Sequence, residues 1–172
     1  MKILLSPHAD DETLFACYTL LRERPHVILC LSGAPRHGSN EVRLAEFAAA
    51  MEIVGCSWTS LIDAELRDEL SRLEPEHVWA PLPEPDGNGD HNWVGELALD
   101  LWPDNVTLYT TYTPASRTTQ GELVIPEPSW VNIKRSALAC YRSQLMTPGV
   151  REHFFRPFDE YLVQGALVER AA

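Results

Sequence analysis

A chain of 172 residues, 45% hydrophobic and 23% charged, is long enough for one domain with a sizeable core and has the balance of a globular protein. Fourteen Lys and Arg against 25 Asp and Glu leave a net charge of −11, which argues against a broad nucleic-acid face, since such faces are built on cationic side chains. No apolar run approaches the roughly 20 residues of a membrane span, and the start lacks a signal peptide's basic region and cleavage site, so a cytoplasmic protein is expected.

In chain order, the apolar run Ile3 to Leu5 reads as a first strand, followed by a helix from Asp11 to about Leu21. Val27 to Leu31 reads as a second strand ending in Ser32-Gly33. Asn40 is the expected N-cap of a helix through Val54, with Gly55 as its C-cap. A third strand is expected near Trp58 to Ile62, a charged helix between about Ala64 and Leu73, and a fourth strand at His77 to Leu82. Pro81, Pro83, Pro85, Gly87 and Gly89 then force a loop, which delivers Asp90-His91 to a helical run from Trp93 to Trp102. Val106 to Tyr112 is a good strand, residues 113–129 read as a long loop or irregular hairpin, Trp130 to Leu145 returns to helical spacing, and Glu160 to Val168 closes the chain as a last strand. Strands alternating with amphipathic helices imply an α/β sheet covered on both faces, in one domain over residues 1–172 without internal repeats. The four cysteines, Cys17, Cys30, Cys56 and Cys140, have no C-x-x-C spacing and are read as reduced thiols.

The densest chemistry lies in Pro7-His8-Ala9-Asp10-Asp11-Glu12, directly after the first strand. Ligands of open α/β sheets bind outside the carboxyl ends of the strands, and this hexapeptide sits at such an end. One imidazole with three carboxyl groups can hold a divalent metal and leave a spare carboxylate as a base.

His8-Ala9-Asp10-Asp11-Glu12 resembles the His-Pro-Asp-Asp-Glu signature of the PIG-L (LmbE-like) family of zinc-dependent N-deacetylases, with Ala in place of Pro. Three further features follow in the family's order: Arg43-Leu44-Ala45-Glu46, Asp90-His91-Asn92-Trp93-Val94-Gly95, and Ser143-Gln144 preceded by Lys134. The resemblance implies a Rossmann-like three-layer sandwich with a mainly parallel sheet. It implies zinc held by His8, Asp11 and His91, with Asp10 as the general base for attack of zinc-bound water on an amide carbonyl. Three protein ligands leave the fourth position that such chemistry requires, although a His-Asp-His site also accepts other divalent metals. Asp90 is expected to fix His91 by accepting its free N–H, Glu12 to orient a ligand or cap the helix, and Arg43 either to meet substrate or to pair with Glu46 along the helix.

The chain also departs from the family. Where the distal element usually begins with a His that helps protonate or stabilise the intermediate, Asn88 stands, able to donate a hydrogen bond to an oxyanion but not to deliver a proton. His37, in the loop after the second strand, is one substitute for that acid, and Asp10 returning the proton it has taken is another. Tyr141 stands where a family His often accompanies Ser-Gln. His26 and His77 open strands and read as structural, Trp93 reads as a core residue under its helix, and His153 has no assigned role.

The activity implied is removal of an N-acetyl group from an N-acetylglucosamine-like amino sugar or glycoconjugate, with a small-molecule partner and homo-oligomerisation left open. The alternative is a catalytically impaired member that binds a sugar or metal. A Rossmann-like nucleotide-binding protein is disfavoured, because no G-x-G-x-x-G follows the first strand and the hexapeptide's carboxylates would repel a pyrophosphate.

Overall fold

The computed structural model describes residues 1–31, 39–62, 65–112, 121–155 and 159–165. Strand β1 (Lys2–Ser6) is buried from its second residue onward and lies inside a seven-stranded sheet. It is flanked on one side by β2 (His26–Leu29) and then β3 (Trp58–Ser60), and on the other by β4 (His77–Pro81) and then β5 (Val106–Tyr109), all parallel. β7 (Tyr161–Gln164) pairs antiparallel with β5, and β6 (Glu122–Leu123) closes that edge antiparallel to β7, giving the order β3-β2-β1-β4-β5-β7-β6.

The central strands read as continuous apolar runs because each face of the sheet is covered. Leu4, Val27, Leu29, Trp79 and Tyr109 point into one core, under α1 (Asp11–Phe15), α2 (Cys17–Glu23), α3 (Asn40–Val54) and α6 (Pro128–Leu138). Their neighbours Ile3, Leu5, Ile28, Val78, Ala80 and Leu108 point into the other, under α4 (Leu66–Ser71) and α5 (Gly89–Leu101). The result is the three-layer α/β sandwich with a mainly parallel sheet that the sequence implied. Two short helices, α7 (Arg142–Leu145) and α8 (Arg151–Phe155), complete the first layer. Among the described residues no helix is long and apolar enough to cross a membrane. All four cysteines are free thiols.

Several boundaries differ from expectation for reasons that lie outside local sequence. The helix expected over 11–21 breaks at Ala16, and α2 restarts because the Tyr18 and Thr19 N–H groups donate to the distant carboxylate of Glu160. The helix expected over 130–145 likewise divides into α6 and α7, whose Ser143 N–H donates to Glu46. α3 does run from Asn40 to Val54, but the capping side chain is Ser39, which accepts from the Val42 N–H, while Gly55 closes the helix at φ 77°. α5 begins before Trp93, at Gly89, and Trp93 is 46% exposed rather than in the core. The first strand expected extends by one residue at each end, the last is described as Tyr161–Gln164, and residues 113–120 and 166–172 lie outside the described residues.

One glycine fixes how α5 meets the sheet. A Cβ on Gly95 would lie 2.2 Å from the Pro81 carbonyl oxygen and 2.9 Å from Pro83 Cγ, so the helix can pack this closely on the end of β4 only without a side chain there. Gly95→Ala is expected to destabilise the protein by at least about 1–3 kcal/mol, because the clash is with backbone rather than with a side chain that can turn away. A denaturant midpoint equal to wild type would contradict this.

Candidate metal centre

The strand order runs outward from β1 in one direction through β2 and β3 and in the other through β4 and β5. Between β1 and β4 lies the topological switch point, where open α/β sheets form their ligand crevice. His8 follows β1 and His91 lies in the first turns of α5, the helix after β4, so the topology brings two residues distant in sequence to this one edge.

The convergence is close. Asp11 Oδ2 lies 3.1 Å from His8 Nδ1 and 3.0 Å from His91 Nε2, and it also accepts the His8 backbone N–H at 2.9 Å. The side chains of Asp11 and His91 are 3% and 2% exposed, while that of His8 keeps 14%. The three candidate ligand atoms lie within 4.8 Å of one another. Two imidazole nitrogens aimed at one buried carboxylate oxygen satisfy each other only if both carry protons, whereas a divalent cation would take both nitrogen lone pairs and the carboxylate together. The donor set therefore fits such an ion.

The electrostatics reflect this crowding. Burial would lower the pKa of His8, but the hydrogen bonds and charge of Asp11, then of Asp90, push it up to about 9. Burial would raise that of Asp11, but His91 and His8 outweigh it and hold the carboxylate far below its ordinary range. Asp10 moves the other way: burial and the adjacent Asp11 charge push it up against the pull of Arg43. Glu12, fully buried, is also raised by burial, although it accepts from Ser6 Oγ, Thr13 Oγ1, the Tyr141 hydroxyl and the Asp10 N–H.

The remaining expected residues fall in several places. Asp90 does not meet His91. Its Oδ2 lies 2.8 Å from His8 Nε2, so the carboxylate–histidine pair forms on the other ring, and His91 Nδ1 is buried without a hydrogen-bond partner among the described residues. Asp90 sits at the helix start, from which its side chain reaches across to His8, just beyond the end of β1. Asn88 is the N-cap of α5, its Oδ1 accepting from the Asp90 N–H at 2.9 Å, a job its side chain suits and one that commits its oxygen to the helix. Arg43 pairs with Asp10 rather than with Glu46, whose carboxylate takes the Ser143 N–H and hydroxyl. Glu12 orients no ligand in this arrangement and forms instead a buried knot with Ser6, Thr13 and Tyr141, its reach to the Asp10 N–H being the capping contact. His37 lies outside the described residues. His26 and His77 are structural, facing Ser57 and Thr59 in the one case and Thr107 in the other.

One neighbour was not singled out in the sequence. Tyr112, 44% exposed beyond the end of β5, stacks at 6.0 Å between centroids on the His91 ring and meets Phe15 and His153 edge-on. Its place at the carboxyl end of a central strand was the available signal.

Fold and site together define an α/β protein with a mainly parallel sheet and a His-Asp-His cluster at its switch point. No protein-family model and no curated protein matches the chain. Its structure is similar to that of the conserved protein TT1542 from Thermus thermophilus, at 22% identity over 99% of this chain and 96% of that one, with a TM-score of 0.75. It is similar to a triple mutant of a deacetylase of the teicoplanin biosynthetic pathway, at 16% identity over 94% and 95% of the two chains, TM-score 0.74. It is also similar to GalB, the 4-carboxy-2-hydroxymuconate hydratase from Pseudomonas putida, at 17% identity over 100% and 98%, TM-score 0.68. At these identities the likeness shows a shared α/β fold.

Proposed function

We propose that this chain is a metal-dependent N-deacetylase acting on an N-acetylglucosamine-like amino sugar or a glycoconjugate that carries one. The same fold also carries a hydratase, so the reaction is argued from the site. The observation that supports it best is the convergence of His8 Nδ1, Asp11 Oδ2 and His91 Nε2 with Asp10 in the same turn. The deacetylase among the similar structures supports the class of reaction; the amino-sugar substrate is what the resemblance of His8-Ala9-Asp10-Asp11-Glu12 to the PIG-L signature implies.

His8, Asp11 and His91 would hold the ion, with zinc the first choice for such a donor set. When bound, a divalent cation supplies Lewis-acid polarisation of the amide carbonyl and acidifies a water towards neutral pH. Asp10 takes the proton from the attacking water. The same carboxyl group returns it to the leaving amine, since the side chain of Asn88, the N-cap of α5, has no proton to deliver. Acetate and a free amine result. Asp90 holds the far side of the His8 ring and so fixes the nitrogen that His8 presents to Asp11.

Elemental analysis and acetate release from N-acetylglucosamine and acetylated glycoconjugates, before and after chelation, test the reading. About one bound metal per chain and chelator-sensitive acetate release are expected. Failure to bind metal even after reconstitution overturns it, and a melting shift with sugar but no acetate points to a binding module.

A further inference from the structure

Asp10 is held in an unusual way. Its backbone sits at φ 156°, ψ −26°, a region that residues with a side chain rarely occupy and that persists only where surrounding contacts over-determine it. The contacts that do so converge on the peptide group joining Ala9 to Asp10. Its N–H points to the His8 carbonyl oxygen at 3.0 Å and to Glu12 Oε2 at 3.2 Å. Its carbonyl oxygen, on Ala9, accepts a hydrogen bond from Arg43 Nη2 at 2.8 Å, and the same nitrogen lies 3.2 Å from Asp10 Oδ1. Arg43 comes from α3, 34 residues along the chain from Ala9, and that helix is capped at both ends by Ser39 and Gly55. The Arg43 residue is only 5% exposed, which leaves its guanidinium turned inward to the turn rather than outward to a ligand.

We propose that Arg43 is a positioning residue: its guanidinium grips the Ala9 carbonyl and the Asp10 carboxylate together, keeps the turn in its strained conformation, and so sets the Asp10 carboxylate beside the His8, Asp11 and His91 cluster. The inference rests on the reading of Asp10 as the base. A guanidinium suits this because the two N–H groups of Nη2 lie fixed in its plane, where one nitrogen meets both the Ala9 carbonyl and the Asp10 carboxylate, whereas a Lys ammonium on its flexible stem carries the charge without that fixed direction. Misplacing a reacting group by about 1 Å costs on the order of 10²-fold in rate, so the clamp is worth far more to turnover than to substrate affinity.

Arg43→Lys and Arg43→Ala test this in two independent ways. In their crystal structures Asp10 is expected to leave φ 156° and carry its carboxylate away from the cluster. An unchanged Asp10 in both overturns the proposal whatever the protein's activity. In acetate release from the acetylated sugar that wild type hydrolyses, kcat is expected to fall about 10–100-fold, with KM within about twofold of wild type, metal content unchanged, and Arg43→Lys between the other two. Added guanidinium ion should restore part of kcat to Arg43→Ala and none to Asp10→Asn. A raised KM at unchanged kcat would make Arg43 a substrate contact, and loss of metal would make it a support of the ion; either overturns the proposal. Should Arg43→Ala fail to fold, Arg43→Lys carries both comparisons. Absence of acetate release from wild type would fall on the deacetylase reading, while the crystallographic comparison still decides the clamp.

Discussion

Asp10→Asn is expected to lower acetate release by about 10²–10⁴-fold while metal content stays at the wild-type level, whereas His8→Ala is expected to lose both. The two substitutions separate proton transfer from metal retention within one turn of chain. Asn keeps the shape of Asp and an oxygen able to accept from Arg43, so the clamp on the turn survives. It also removes a buried negative charge beside Asp11, the neighbour that helps push the Asp10 carboxyl up. The fold should therefore tolerate it. What is lost is the only property argued for Asp10 in the reaction, the capacity to take and return a proton. His8→Ala removes a nitrogen aimed at Asp11 Oδ2 and leaves that buried oxygen facing His91 and one backbone N–H, a set too small to retain an ion. Elemental analysis paired with the acetate assay checks both outcomes. Full turnover by Asp10→Asn would remove Asp10 from the role of base, and a metal-loaded His8→Ala protein would remove His8 from the ligand set.

The hexapeptide after β1 was legible because everything that defines it is local: an apolar run that ends abruptly in His, Asp, Asp and Glu at a strand's carboxyl end. The parallel sheet was legible for the same reason, since strands buried on both faces read as unbroken apolar runs. His91 was joined to the hexapeptide by the family resemblance alone, and the structure has the helix after β4 begin at that same edge. Partner choice was not legible. Whether Asp90 would face His91 or His8 depends on how α5 is rotated, and that rotation is set by the close approach at Gly95, which no spacing rule reports. Arg43 reads on a helical wheel as a partner for Glu46, three residues on, yet tertiary contacts give Arg43 to Asp10 and Glu46 to Ser143. The two helices that break do so because carboxylates from elsewhere in the chain, the buried Glu160 and the half-buried Glu46, receive the N–H groups of the new helix start. Propensity sees only the neighbours along the chain.

Lys134→Met is expected to cost about 3–5 kcal/mol of unfolding free energy, the penalty for leaving one half of a buried ion pair alone. Lys134 and Glu160 are 1% and 0% exposed at their side chains, and Lys134 Nζ lies 2.8 Å from Glu160 Oε1. Lys134 Nζ also donates to the Leu14 carbonyl oxygen at 2.8 Å and sits 4.7 Å from the centre of the Tyr18 ring. Without it, the Glu160 carboxylate would keep the Tyr18 and Thr19 N–H groups at the start of α2, whose dipole favours an anion there, but would have lost its counter-charge. Glu160→Gln should be costly too, since it strands the ammonium instead. The Lys134→Met, Glu160→Gln pair should then cost less than the sum of the two, because neither side strands a charge and Gln still offers an oxygen to the α2 N–H groups. Denaturant unfolding of the three variants measures the coupling, and simple additivity would show that the pair contributes nothing as a pair. The consequence reaches the candidate metal centre, because the ammonium ties α6 and the approach to β7 to the Leu14 carbonyl of α1, the helix that begins at Asp11. In Lys134→Met the tether on that helix is gone, so metal affinity should fall along with stability, and should be restored in part with stability when Glu160→Gln is added.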